Sequence, residues 1–169
     1  MGNSEMLEQL RAVNASAAFN RWAGFEVTEA EPGRVCLRLE WREDLGQYSG
    51  HLHAALVAGL VDTACGFAAF TQVGVVAASN CAVNFVSPGI GTAFVATARS
   101  VKAGRKQVFV TAEVHAEREC ESVLVAFGTT LLVPLALRHR EPQATSGNED
   151  ELSRGVRTLQ LGVSECHVR

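Results

Sequence analysis

The sequence predicts an α+β fold in which one antiparallel sheet curls around a central helix, with a further helix at the N-terminus. Three observations carry this prediction. From Leu52 to Phe70 nearly every residue is small or apolar, so a helix formed there is hydrophobic almost all the way round and has to be covered on more than one side. The flanking segments alternate apolar and polar residues, the pattern of strands with one dry face. Tight turns rather than long crossovers join most of these strands, which favours antiparallel pairing.

Taken in order, "SEMLEQLRAVNASAAFNRW" places Met6, Leu10, Val13, Ala17 and Phe19 at roughly helical spacing. Ser4 is the expected N-cap, and the helix is expected to end before Gly24. "FEVTEAEPGRVCLRLEW" reads as two strands around the turn signal "EPGR". In the second strand Val35, Leu37, Leu39 and Trp41 alternate with Arg34, Cys36, Arg38 and Glu40, giving one apolar face. "REDLGQYSGHLH" is a polar, Gly-containing loop that leads into the central helix, expected over about Ala54 to Gln72. Three strand segments follow: "VVAASNCAVNFVSP", then "GTAFVATARSVKAGRKQVFVTAEVHAE" folded at "KAGRK", then "ESVLVAFGTTLLVP". The expected order is helix, two strands, central helix, three strands. This divides the chain into an N-terminal helix over 1–23, the sheet-and-helix domain over 24–134, and a polar, mobile tail over 135–169 with a short helix near Glu149 to Leu161.

Composition sets outer limits on function. The 169 residues suffice for one domain with a real core, and 47% hydrophobic content is ordinary for a globular protein. A net charge of -3 gives no general attraction to nucleic acid or anionic lipid, so a polyanionic ligand has to be met by a local cluster of cations. The five cysteines are odd in number, widely spaced and without a CxxC pair, which points to reduced thiols in a cytoplasmic protein and away from a zinc site. The apolar stretch is near the length of a membrane span. However, it is rich in Ala and Gly, and an acidic residue at mid-helix disfavours insertion by about 2.5 to 3.5 kcal/mol. The first twenty residues lack the basic start and apolar block of a signal peptide.

That acidic residue, Asp62, is the chief candidate for chemistry. A carboxylate among apolar neighbours neutralises, finds a donor, or is kept for reaction. The first turn of the helix, from about Ala54, offers unpaired backbone N–H groups suited to an anion or a polarised carbonyl oxygen. Asp62 lies roughly 12 Å further along the axis, and at about 100° per residue it points nearly opposite to His53. The two ends therefore cannot meet within one chain. A shared site requires the same helix from a second copy running the other way, as a two-fold dimer provides. Cys65 lies near Asp62, but among apolar neighbours and without a paired His it reads as an inert core thiol. His51 and His115 read as solvent-facing.

"GQYSGHLHAALVAGLVDTACGFAA", followed by "SNCAVNFVSPG" and two long closing strands, resembles the PaaI-like branch of the hotdog-fold acyl-CoA thioesterases over about Gly24 to Pro134. The family motif sets Asn or Gln before a Gly-containing loop, then His-Gly-Gly, then an acid nine positions after the His. Gln47, Gly50, His53 and Asp62 occupy those places. The resemblance implies a homo-oligomer, a dimer or a dimer of dimers, that hydrolyses acyl-CoA at the subunit interface without a cofactor. Asp62 would be the nucleophile or the base that activates water, and the N–H of Ala54 from the partner subunit would hold the thioester oxygen. Gln47 would orient thioester or water, and His53 would brace the loop and helix start, with Gly50 and Ala55 beside the substrate. The Ser or Thr that family members place early in the following strand falls on Ala78, with Ser79 adjacent. The phosphates of CoA would meet Arg99, Lys102, Arg105 and Lys106 on the "ARSVKAGRK" hairpin.

One departure stands out: "HAA" replaces His-Gly-Gly. Two added methyl groups narrow the space beside a thioester while leaving the backbone donors in place. This change keeps open a non-catalytic acyl-CoA-binding or scaffold role. A hydratase or dehydratase on the same fold is disfavoured, because no "HFP" stretch precedes the helix and no Asp is followed five residues later by His.

Overall fold

The computed structural model describes residues 2–119 and 121–135. Its elements are α1 (Asn3–Ser16), α2 (Ala18–Ala23), β1 (Glu26–Glu31), β2 (Arg34–Glu40), a single 3-10 turn (Glu43–Leu45), α3 (Ala54–Val73), β3 (Val76–Phe85), β4 (Ala93–Ala103), β5 (Val108–Glu117) and β6 (Ser122–Pro134). Four strands follow α3 rather than three, because the segment folded at "KAGRK" supplies two. Of the expected tail only Leu135 is described; the rest, with its short helix, lies outside the described residues.

The six strands form one sheet in the order β1-β2-β4-β5-β6-β3, with every neighbouring pair antiparallel. Helix α3 lies against all six strands. The stripe Leu56, Val57, Leu60, Val61, Ala64, Cys65, Ala68 and Ala69 is buried, the four-and-one spacing of a helix side pressed on a sheet. This helix is long and apolar enough to cross a bilayer by length and composition, yet here its apolar stripe packs on strands. Period-two alternation sets the faces of β5: Val108, Val110, Ala112, Val114 and Ala116 are buried toward α3. Close approach of α3 and β3 to β6 depends on Gly128. A Cβ there would lie 2.7 Å from the Ala82 carbonyl oxygen and 2.9 Å from Val61 Cγ1.

The N-terminal helix departs from expectation. It begins at Asn3 with Gly2, not Ser4, as its N-cap, and it breaks at Ala17, whose backbone is extended. Two buried side chains fix the break. Asn14 Nδ2 donates to the Phe25 carbonyl at 2.6 Å, and Asn20 Nδ2 donates to Asn14 Oδ1 at 3.0 Å. Buried amides satisfied in this way tie α1 and α2 to the start of the sheet. Phe19 and Val13, expected on a core face, are partly exposed. Phe19 nevertheless lies over α3, where a Cβ on Gly59 would sit 3.2 Å from its ring. The small residue at 59 therefore accommodates an aromatic ring of its own chain.

Candidate active site

The loop before α3 is held by main-chain hydrogen bonds at each step. Gln47 N–H donates to His51 O at 2.8 Å, Gly50 N–H to Gln47 O at 2.8 Å, Leu52 N–H to Gly89 O at 2.8 Å, and His53 N–H to Leu45 O at 3.0 Å. Gly50 has φ +75°, a left-handed conformation that side-chain-bearing residues rarely take. The Gln47 side-chain oxygen accepts from the Ser49 N–H at 2.7 Å. Its amide nitrogen has no partner among the described residues and is a donor suited to a carbonyl oxygen.

His53 is the N-cap of α3, and its Nδ1 accepts from the Ala55 N–H at 3.0 Å. The Ala54 N–H has no partner among the described residues. One donor of the first turn is thus consumed by the cap while its neighbour remains available at the positive end of a 20-residue helix. Gln47, His53 and Ala54 line one groove of about 340 Å³ together with Val57, Phe85 and Val125.

Asp62 lines a different groove. Its companions there include Val13, Gly66, Phe70, Val76, Ala78 and Leu132. The structure therefore does not bring Asp62 to Gln47, His53 and Ala54 within one chain, as helix geometry required. Nor is the carboxylate buried, as the sequence suggested: Asp62 is exposed in the single chain. The side of α3 it shares with Gly66 and Phe70 lacks full cover. Apolar atoms packed on its other side still withhold water, and this desolvation pushes its carboxyl above the ordinary value of 3.8. Cys65 lies wholly in the core, where burial pushes the thiol up to about 12, as suits an inert thiol.

The strand after α3 carries an irregularity that its sequence conceals. Pairing of β3 with β6 shifts between Ala78 and Asn80, so Ser79 is the extra residue of a bulge. Ala78 lines the Asp62 groove, while the Ser79 hydroxyl donates to the Leu131 carbonyl at 3.1 Å. The four basic candidates line neither groove. Arg99 lies on the face of the sheet opposite α3, in a shallow depression with Arg34, Thr97 and His115. Lys102, Arg105 and Lys106 are exposed around the β4–β5 turn. Sequence reasoning had no signal for the apolar lining from Phe67 to Val76, because nothing in the helical pattern separates a groove wall from a core face.

Residues 49–122 match the sequence model of the thioesterase superfamily. A thioesterase family protein from Silicibacter pomeroyi is 32% identical, with a TM-score of 0.73 over 76% of this chain and 96% of its own. Zebrafish thioesterase superfamily member 2 is 24% identical, with a TM-score of 0.69 over 80% of this chain and 99% of its own. The E. coli PaaI protein from the phenylacetic acid degradation operon shares the fold at 19% identity, with a TM-score of 0.72 over 80% of this chain and 97% of its own. No curated protein matches the chain.

Proposed function

The chain belongs to the thioesterase superfamily and has its hotdog fold, and from that premise we propose that it hydrolyses an acyl-CoA thioester to the free acid and CoA at a site shared by two copies. The observation that carries this reading is the split of the candidate residues between two grooves on one seam. Both grooves lie where α3 meets β3. The Asp62 groove is at the Ala78 end of the strand and the Ala54 groove is at the Phe85 end. β3 is an edge strand, and its side chains are exposed at all but two positions. A long, exposed edge strand of mostly small, uncharged residues calls for a partner. Pairing β3 antiparallel with its own copy about a two-fold axis near Cys81 and Ala82 sets Ala78 opposite Phe85 of the partner subunit. The same operation brings each Asp62 groove against the partner's Ala54 groove.

In that arrangement the substrate carbonyl oxygen accepts from the N–H of Ala54 of the partner subunit and from the partner's Gln47 amide. Both donors strengthen as negative charge grows on that oxygen. Asp62 either takes a proton from water, whose oxygen adds to the carbonyl carbon, or adds to that carbon itself, giving an anhydride that water then opens. In both routes the C–S bond breaks, CoA leaves as the thiolate, and a proton from water ends on sulfur. The raised carboxyl of Asp62 suits the first route, because a base is more effective when its pKa approaches the working pH. His53 holds the helix entrance rather than the substrate.

Replacing Asp62 with Asn tests the proposal. Hydrolysis across acyl-CoAs of graded length and aromaticity, followed by thiol release, should fall by about 100-fold or more, with dimer mass and circular dichroism retained. Turnover that persists in Asp62→Asn would overturn the assignment. Tight acyl-CoA binding by a wild type that releases no thiol would favour the non-catalytic role that the two methyls of Ala54 and Ala55 leave open.

A further inference from the structure

The Asp62 groove extends well past the carboxylate. Asp62, Gly66 and Phe70 are four residues apart, so they stack along one side of α3. From Asp62 to Phe70 the groove runs roughly 12 Å along the axis, about the length of an extended chain of eight to ten carbons. Beyond Thr63 its walls carry no polar side chain among the described residues: Phe67 and Phe70 come from the helix, Val76 and Leu132 from the sheet, Val75 from the turn before β3, and Val13 from α1. At the middle of the floor is Gly66, where an added Cβ would meet nothing within 4 Å. A glycine inside a helix weakens it, and no neighbouring atom among the described residues requires one at this position. The space it leaves is open toward the groove.

We propose that this groove holds the acyl group, that the preferred acyl group is an unbranched aliphatic chain of medium length, and that Gly66 sets the length accepted. The inference rests on the thioesterase reading and deepens it. The reacting carbonyl sits beside Asp62 and the tail passes over Gly66 toward Phe70 and Val75. Each methylene buried there raises binding about fourfold. Without a polar wall beyond Thr63, a hydroxylated or charged tail would lose hydration with nothing in return. A side chain at 66 would block the groove one helical turn past the carboxylate, stopping long tails while a short acyl group still fits.

The test compares wild type, Gly66→Ala and Gly66→Leu. Both replacements favour helix formation, so the fold is expected to persist, and thermal unfolding verifies it. Steady-state kcat/KM is measured for acetyl-, butyryl-, octanoyl-, decanoyl- and phenylacetyl-CoA. In parallel, calorimetry measures binding of the non-hydrolysable thioethers butyl-CoA and octyl-CoA. Wild type should prefer octanoyl or decanoyl. Gly66→Leu should lower kcat/KM for octanoyl at least tenfold more than for butyryl, with Gly66→Ala between. A preference for phenylacetyl, or an equal loss across all chain lengths, would overturn the proposal while leaving the hydrolase reading intact. A wild type that binds octyl-CoA in a Gly66-dependent way but cleaves no thioester would uphold the groove and sink the hydrolase reading. Binding of neither thioether, together with cleavage of none of the five thioesters, would sink both.

Discussion

His53 Nδ1 accepts a hydrogen bond of 3.0 Å from the backbone N–H of Ala55, two residues on, which makes the imidazole the cap of the central helix. Removing a side-chain cap costs about 1 kcal/mol of stability, and Asn is among the best replacements. His53→Ala should therefore lower the unfolding free energy by about that amount, and His53→Asn should restore it. Urea unfolding at one protein concentration reads both. If His53 acted as a proton carrier instead, His53→Asn would be as stable as wild type but inactive; the cap reading expects it to keep most of its turnover.

The carboxyl of Asp62, pushed up by desolvation, makes a prediction with a definite sign. Its folded value lies above its unfolded one, so the native state holds the proton more tightly. The stability associated with that proton is fully present below the ordinary value of 3.8. It is lost as pH rises through the raised folded value. Asp62→Asn should consequently be more stable than wild type at pH 7, and the advantage should vanish in acid below both values. In the proposed reaction Asp62 works in its ionised form, so the acid limb of the wild-type pH–rate profile should lie above the ordinary value of 3.8. Unfolding at two pH values and a kcat/KM profile check the two halves separately. An Asn variant no more stable at pH 7 would contradict the first.

What the residues disclose in advance, and what they hide, follows from where each determinant sits. The bounds of α3 are local: an apolar run starts after a polar loop and stops at Gly74, and the expected end at Gln72 falls one residue from the observed Val73. The two faces of β5 are local as well, since alternation alone sets them. The break at Ala17 is not local, because Asn14 and Asn20 stop the helix through a bond to each other and to Phe25. The bulge at Ser79 arises from pairing with β6, and no pattern within β3 announces it. Asp62 looked buried because its sequence neighbours are apolar. The groove beside it is open because no other described residue covers it. The motif Gln47, Gly50, His53 and Asp62 is legible as a set, and so is the separation of Asp62 from His53 and Ala54, because helix geometry alone sets them apart; the walls of the two grooves they line are not, since strands distant in sequence supply them.

Gly50 offers a test of the loop that presents Gln47. Its φ of +75° and the empty space where a Cβ would stand mean that Gly50→Ala meets backbone strain and no clash. That strain is about 1 to 2 kcal/mol, and Asn tolerates the conformation better. Relief of the strain would swing Gln47, whose carbonyl accepts the Gly50 N–H. Gly50→Ala should therefore lower kcat by a larger factor than its loss of stability accounts for, with Gly50→Asn intermediate. Equal activity in all three proteins would remove Gln47 from the reaction.

The edge strand supplies the last prediction. Cys81 is an exposed free thiol in the single chain, whereas Cys65 is buried with its thiol pushed up to about 12. If β3 pairs with its copy near Cys81 and Ala82, the partner strand covers Cys81 and shields it from reagents. A brief iodoacetamide pulse, read peptide by peptide in a mass spectrometer, should label Cys81 slowly at high protein concentration. Labelling should quicken on dilution as dimers dissociate. Cys65 should stay unlabelled throughout and so report that the fold is intact. Thioester hydrolysis per chain should fall over the same dilution range in which Cys81 becomes reactive, because in the proposed dimer each reaction centre draws one half from either subunit. Activity that persists while Cys81 is fully reactive would place the whole reaction within one chain, and the separation of Asp62 from Ala54 along α3 would then have no role.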